Sequence, residues 1–92
     1  MIRSFRSNTL KRYWERGQTR RLHARFVARI AERLDALDAA RRPQDLDIPG
    51  FGFHALRGNL DGRFALTVSR NHRLTFGWDG DDAVEIDLED YH

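Results

Sequence analysis

Two spacings of apolar residues divide the chain at about Pro43. Before this residue, apolar side chains recur every three or four positions, which is the spacing of an amphipathic helix. After it, they recur at every second position, which is the spacing of a half-buried strand. The pattern predicts helices in the first part of the chain and a sheet in the second.

A short helix is predicted close to the start. Asn8 or Thr9 can cap it, because both side chains carry an oxygen that accepts from a backbone N–H of the first turn. The helix runs to about Arg16, and Gly17 ends it because glycine readily adopts the left-handed conformation. Residues 2–5, ahead of this helix, are predicted to form a short strand.

A longer helix is predicted from a cap at Thr19 to a point before Pro43, about five turns in all. Its apolar face carries large side chains at helical spacing: Leu22, Phe26, Ile30, Leu34 and Leu37. Its other face is expected to be polar, with residues Arg21, Arg25, Arg29, Glu32 and Arg33.

Four strands are predicted in the second part of the chain, where Val84, Ile86 and Leu88 are expected to face the core together. The strands cover residues 53–57, 64–69, 72–78 and 84–89. Tight turns separate the last three, which indicates an antiparallel meander. The predicted order is β-α-α-β-β-β-β, an α+β fold in which two helices cover one face of the sheet. We expect a single domain over residues 1–92.

Composition narrows the class of protein. Of 92 residues, 40% are hydrophobic and 33% are charged, as expected for a small globular domain. The sequence has no cysteine, which excludes a disulfide scaffold, a thiolate zinc site and a cysteine nucleophile. No apolar run approaches the ~20 residues that span a bilayer, and the first residues lack the apolar region of a secretory signal. We therefore expect a cytoplasmic protein without a membrane partner.

Charge is distributed unevenly along the chain. Residues 1–44 carry a net charge of +8 and residues 45–92 a net charge of −6, and Lys11 is the only lysine among 16 basic residues. Arginine binds phosphate in a bidentate manner and stacks on bases, so an arginine-rich segment suggests a polyanionic partner. A GC-rich genome and solvated helix faces would explain the same composition. The acidic second half argues against a protein that simply coats DNA.

The sheet face opposite the predicted core carries an unusual group of polar residues. Its members are His54, Arg57, Arg73, Asp90, Tyr91 and His92. Histidine moves protons near neutral pH, and arginine stabilises the charge of a pentacoordinate phosphorane. In RNA the 2′-hydroxyl itself can attack the adjacent phosphate, so these groups suffice for cleavage without a metal. The four histidines are dispersed and lack metal-ligand spacing, so we predict no metal site and no cofactor.

Several segments resemble one family over residues 1–92. They include Ala55-Leu56-Arg57-Gly58-Asn59-Leu60-Asp61-Gly62, Thr67-Val68-Ser69-Arg70-Asn71-His72-Arg73-Leu74-Thr75-Phe76 and the terminal Asp90-Tyr91-His92. With these motifs the chain resembles the HigB-type toxins, the plasmid maintenance killer branch of the RelE-like toxins of bacterial toxin–antitoxin systems. The resemblance implies a compact RelE-like fold and an endoribonuclease that cuts mRNA in the A site of the 30S ribosomal subunit. It also implies a HigA-like antitoxin with a helix-turn-helix, through which the toxin reaches operator DNA.

The resemblance also implies roles for the six polar residues. His92 is expected to be the principal acid–base group and His54 its complement, while Tyr91 orients the nucleotide and Asp90 positions a neighbouring ring or contacts the base. The two arginines are expected to stabilise the charge of the scissile phosphate. Relatives often have lysine at position 57, so Arg57 keeps the charge but changes the geometry.

The arginine-rich helix offers a further expectation. Five arginines are predicted to dock on ribosomal RNA: Arg20, Arg21, Arg25, Arg29 and Arg33. A solvated face and an antitoxin contact are alternatives for the same residues. Three alternatives also remain for the whole protein, namely an RNA-binding module without catalysis, a degenerate toxin that acts as co-repressor with its antitoxin, and a relative that poisons gyrase.

Overall fold

The predicted fold class is confirmed by the computed structural model, which describes residues 1–60 and 62–90. Two helices pack on one face of a four-stranded sheet with the strand order β1-β2-β3-β4, and every neighbouring pair is antiparallel. The strands are β1 (His54–Ala55), β2 (Arg63–Thr67), β3 (His72–Asp79) and β4 (Asp82–Asp90). Within the described residues, no helix has the length and apolar character needed to cross a membrane.

Helix α1 covers Asn8–Arg16, and its N-cap precedes both Asn8 and Thr9, so the prediction that one of these two residues caps the helix is wrong. Ser7 is the N-cap, and its hydroxyl accepts a hydrogen bond from the Leu10 N–H at 3.2 Å. The predicted stop at Gly17 is confirmed, since this residue has φ 69° and its N–H donates to the Tyr13 carbonyl at 2.8 Å. Helix α1 therefore has a hydroxyl cap at its start and a left-handed glycine at its end, both of which are common at helix termini.

Helix α2 covers Val27–Ala39, so the predicted start at Thr19 is wrong. Arg21 has φ 65°, a left-handed conformation that cannot continue a right-handed helix. His23 is extended, and its Nδ1 accepts from the Arg25 N–H at 3.3 Å to cap a short 3-10 helix over Ala24–Phe26. The chain between the two helices is thus an ordered connection rather than the first turns of α2.

The first residues do not form the predicted strand. Instead, Ile2 and Phe5 make two isolated parallel bridges to Ala83 and Ile86, along the outer edge of β4. The strand predicted over 53–57 is also shorter than expected, since only His54–Ala55 pairs with β2.

A β-bulge divides the pairing of β3 with β4 and changes which residues face the core. Gly77 pairs with Val84, but Thr75 pairs with Asp87, so β4 carries one extra residue between these pairs. Glu85 lies within this insertion with φ 52°. A shift of one residue moves side chains to the opposite face. Val84 therefore lies on the same face as Gly77, and the expectation that it faces the core with Ile86 is wrong.

Arg33 belongs to the interior rather than to a docking surface. It is 6% exposed, and its guanidinium donates to the carbonyls of Thr67 at 2.6 Å, Gly50 at 3.1 Å and Arg29 at 3.2 Å. Its Cζ also lies 4.6 Å from the ring centroid of Phe51. The prediction that Arg33 docks on ribosomal RNA is therefore wrong, because its hydrogen-bond donors are used to join α2 to β2 and to the loop ahead of β1.

Candidate active site

The strand register brings one set of predicted residues to the sheet face turned away from the helices. Directly paired residues of antiparallel strands point to the same side. Arg73 pairs with Thr67 and Glu89, Thr75 pairs with Ala65, and Ala65 pairs with His54. We call this the outer face; its residues are His54, Arg63, Ala65, Thr67, Arg73, Thr75, Gly77, Val84, Asp87 and Glu89.

Four polar side chains form a hydrogen-bonded row on the outer face. Arg73 donates through Nε and Nη2 to Glu89 Oε1, at 3.3 and 3.1 Å. The other oxygen, Glu89 Oε2, accepts from the Thr75 hydroxyl at 2.8 Å, and that hydroxyl accepts from Arg63 Nη2 at 3.1 Å. Arg63 also donates to the Glu85 carbonyl at 2.8 Å. Glu89 therefore holds the guanidinium plane of Arg73 in one orientation.

The electrostatics of this row follow from partial burial and from the hydrogen bonds. Burial acts to raise the pKa of Glu89, but hydrogen bonds from Thr75 and Arg73 and the nearby positive charges outweigh it and lower the pKa below 4.5. Burial, with the nearby charge of Arg6, lowers the pKa of Arg63. Glu89 is therefore a carboxylate at neutral pH.

His54 lies on the same face as Arg73, two strands away and two residues further along the strand direction, or about 12 Å at the usual strand spacing and rise. Its side chain is exposed, and Nδ1 lies 2.8 Å from the Gly52 carbonyl. Since a carbonyl only accepts, Nδ1 carries the hydrogen and Nε2 of the neutral ring is the basic nitrogen. Gly52 has φ 61°, and a Cβ there would lie 2.5 Å from Thr67 Oγ1, so glycine is required for this turn.

Arg57 is exposed and follows β1, outside the paired region. The neighbouring Leu56 N–H donates to the Arg63 carbonyl at 2.9 Å, which is at the end of β2 away from Thr67. The strand register therefore does not place Arg57 beside Arg73.

Asp90 lies one residue beyond Glu89 and points to the other face of the sheet, so the expectation that it shares a face with Arg73 is wrong. It pairs with His72, and its Oδ2 lies 3.7 Å from His72 Nε2. The Nδ1 of the same ring lies 2.9 Å from the Ser69 hydroxyl. The sequence interpretation did not include Ser69 or His72 in the site. Tyr91 and His92 lie outside the described residues.

The remaining predicted docking arginines do not form one helical face. Arg20 and Arg21 belong to the connection after α1, Arg25 to the 3-10 helix, and Arg29 to α2, and all four are exposed. Arg29 Nη1 donates to the Val68 carbonyl at 3.1 Å, which ties it to the end of β2.

Among residues 1–60 and 62–90, no group of three or more histidine or carboxylate side chains is placed to hold a metal ion.

The lowered pKa of Glu89 leads to a testable pH dependence. A carboxyl whose pKa is lower in the folded state stabilises the fold above its ordinary pKa, and that contribution is lost as the pH falls through the lowered value. Between about pH 5 and pH 3, we expect the unfolding free energy of the wild-type protein to fall more steeply than that of Glu89→Gln, because the variant lacks the titrating carboxyl. Urea unfolding of both proteins across this range measures it. Asp45, whose pKa is also lowered, contributes equally to both proteins. Identical pH profiles would contradict the role of Glu89.

Two known proteins and one family model are similar to this chain. Over all 92 residues, covering 100% of both chains, the sequence is 38% identical to a protein named Endoribonuclease HigB of Proteus vulgaris. Over 80 residues, covering 85% of this chain and 84% of the relative, it is 34% identical to Toxin HigB-1 of Vibrio cholerae serotype O1. A family model described as HigB-like toxin, RelE-like toxin of type II toxin-antitoxin system HigB, matches residues 3–92. The chain therefore belongs to the HigB-like family of type II toxins, which are the partners of antitoxins.

Proposed function

We propose that this chain is an endoribonuclease that inhibits translation by cutting mRNA on the ribosome. The observation that carries the proposal is Arg73, a guanidinium held by Glu89 on an outer face that also presents the basic nitrogen of His54. The full-length similarity to a relative named an endoribonuclease supports the same activity. The proposed place of action is the A site of the 30S subunit, in the cytoplasm.

In the proposed reaction the 2′-hydroxyl of a ribose attacks the adjacent phosphorus. A base takes the 2′ proton, the bond from phosphorus to the 5′-oxygen breaks, and an acid protonates that oxygen. The products are a 2′,3′-cyclic phosphate and a 5′-hydroxyl end. Arg73 stabilises the negative charge that develops on the phosphorane, and its contact with Glu89 fixes its orientation before substrate arrives.

Proton transfer is assigned to two histidines in this proposal. His92 is the principal acid–base group, and His54 is its complement through Nε2. Tyr91 orients the nucleotide. Asp90, whose Oδ2 lies 3.7 Å from His72 Nε2, positions the groups beside it. Arg57 is proposed as a secondary contact for the RNA backbone.

The proposed partners are a helix-turn-helix antitoxin of HigA type and, through it, operator DNA. The four exposed arginines are proposed to contact ribosomal or messenger RNA, because none of them forms an ion pair with a carboxylate in the described part of the chain. These arginines are Arg20, Arg21, Arg25 and Arg29.

Mapping of RNA ends tests the proposed activity. After brief induction of the protein in growing cells, we expect new 5′-hydroxyl ends within translated messages, and we expect His92→Ala to lose them. Removal of an acid–base group lowers such rates by about two to four orders of magnitude. New ends with His92→Ala at wild-type level would contradict the role of His92. Absence of ends with the wild-type protein would favour a co-repressor or a non-catalytic RNA-binding module.

A further inference from the structure

A polar cavity lies on the helix side of the sheet, away from the outer face. It has a volume of about 440 Å³, within the range of small-ligand sites. It lies between the start of α2 and the turn from β2 to β3. Its principal lining residues are His23, Arg25, Phe26, Arg29, Arg70 and His72.

Three aromatic rings form a continuous row along this cavity. The centroids of His23 and Phe26 are 5.3 Å apart, those of Phe26 and His72 are 5.1 Å apart, and both pairs are tilted by 44°. The Cζ of Arg25 lies 5.7 Å from the centroid of Phe26. Protein surfaces that bind single-stranded RNA stack unpaired bases on rings and guanidinium planes of this kind.

The charge of the cavity is one-sided. Three guanidinium groups line it, and no carboxylate is among its described lining residues. In the described part of the chain, neither Arg25 nor Arg70 forms an ion pair. Guanidinium groups that are not neutralised by carboxylates are suited to bind phosphate through charge-assisted hydrogen bonds.

We propose that this cavity binds one nucleotide of the RNA strand that the enzyme cuts, with its base against the ring row and its phosphate between Arg25 and Arg70. The inference rests on the proposed action on RNA and adds a substrate subsite to it. It also gives Arg25 and Arg29 a more specific role than general docking.

The position of the cavity favours the substrate strand over another partner. His72 lines the cavity and is followed by Arg73, whose side chain lies on the outer face. Consecutive Cα atoms are about 3.8 Å apart, so an RNA strand that passes around this end of the sheet, from the helix side to the outer face, meets both groups. An acidic peptide would contact the same arginines, but it carries no bases to stack on the three rings.

The test compares two double variants with the same loss of charge. Arg25→Gln/Arg70→Gln removes the proposed phosphate contacts, whereas Arg16→Gln/Arg41→Gln removes two exposed arginines elsewhere. The probe is a five-nucleotide RNA with 2′-O-methyl groups, which lacks the attacking hydroxyl and is bound without ribosomes. We expect the first pair to weaken binding at least about tenfold and the second by less than about threefold. Equal weakening by both pairs, or none by the first, would overturn the subsite.

A second measurement separates this inference from the proposed cleavage. Adenosine 5′-monophosphate is expected to shift the NMR signals of the His23, Phe26 and His72 rings, and to bind more tightly than inorganic phosphate. Such binding would support the subsite even if the wild-type protein failed to cut RNA. Equal affinity for the nucleotide and for phosphate would overturn the role of the rings. Loss of antitoxin binding by the first double variant, with unchanged RNA binding, would assign the cavity to the antitoxin instead.

Discussion

Arg73→Gln is expected to lower the rate of mRNA cleavage by about two to three orders of magnitude, the usual effect of removing a preorganised donor from a developing oxyanion. The guanidinium is half-buried and oriented by Glu89 at 3.1 Å, so glutamine reproduces neither its charge nor its fork of donors. Growth after induction and the rate of cleavage of a ribosome-bound message measure the effect.

A matched variant distinguishes this catalytic role from a structural one. Arg73→Gln leaves the partly buried Glu89 carboxylate without its nearest positive partner, which by itself destabilises the fold. Arg73→Gln/Glu89→Gln removes both charges and is expected to recover stability but not cleavage. Recovery of cleavage in this double variant would mean that Arg73 serves only to neutralise Glu89.

Arg33→Met is expected to lower the free energy of unfolding by about 2–4 kcal/mol. Methionine keeps most of the apolar stem, but the carbonyls of Thr67, Gly50 and Arg29 lose their common donor inside the fold. The contact of the guanidinium with the Phe51 ring is lost as well. Urea unfolding at pH 7 measures the loss.

The exposed Arg41 provides the control for this prediction. Arg41→Met changes the net charge in the same way, but the Arg41 side chain is exposed, and we expect a change within about 0.5 kcal/mol. If Arg33→Met costs no more stability than Arg41→Met, the buried hydrogen bonds of Arg33 contribute nothing net to the fold.

Local chemistry made part of this structure predictable. The alternation of apolar residues is repeated in three consecutive strands joined by short turns, so the antiparallel meander could be predicted from spacing alone. Gly17 could be placed at a helix end because few other residues adopt its conformation. The same alternation put His54 and Arg73 on one face, as the register shows.

Arg33 shows how residue type can outweigh position. It lies three residues after Ile30 and four before Leu37, so helical spacing places it on the apolar side of α2. Its charge led to the opposite assignment. The carbonyls that accept from it belong to distant segments, at Gly50 and Thr67, and no local pattern reveals such partners.

The partnership of Arg73 and Glu89 was hidden for a different reason. Counting back from the turn at Asp79 and Asp82, regular pairing would place Leu88 opposite Arg73. The extra residue of the bulge moves Glu89 into that position and turns Ile86 and Leu88 toward the helices, whereas Val84 keeps its regular pairing with Gly77. A left-handed Glu85 has no clear signature in sequence, since glycine or asparagine is usual at such positions.

This bulge restricts how the last hairpin can change length in evolution. A single insertion between Glu85 and Glu89, with the bulge retained, would bring Leu88 opposite Arg73 and send the Glu89 carboxylate to the helix side. Insertions at the tip, between Asp79 and Asp82, leave the alignment beyond the bulge unchanged. We therefore expect active relatives to differ in length at the tip of the hairpin and not along the strand that follows the bulge.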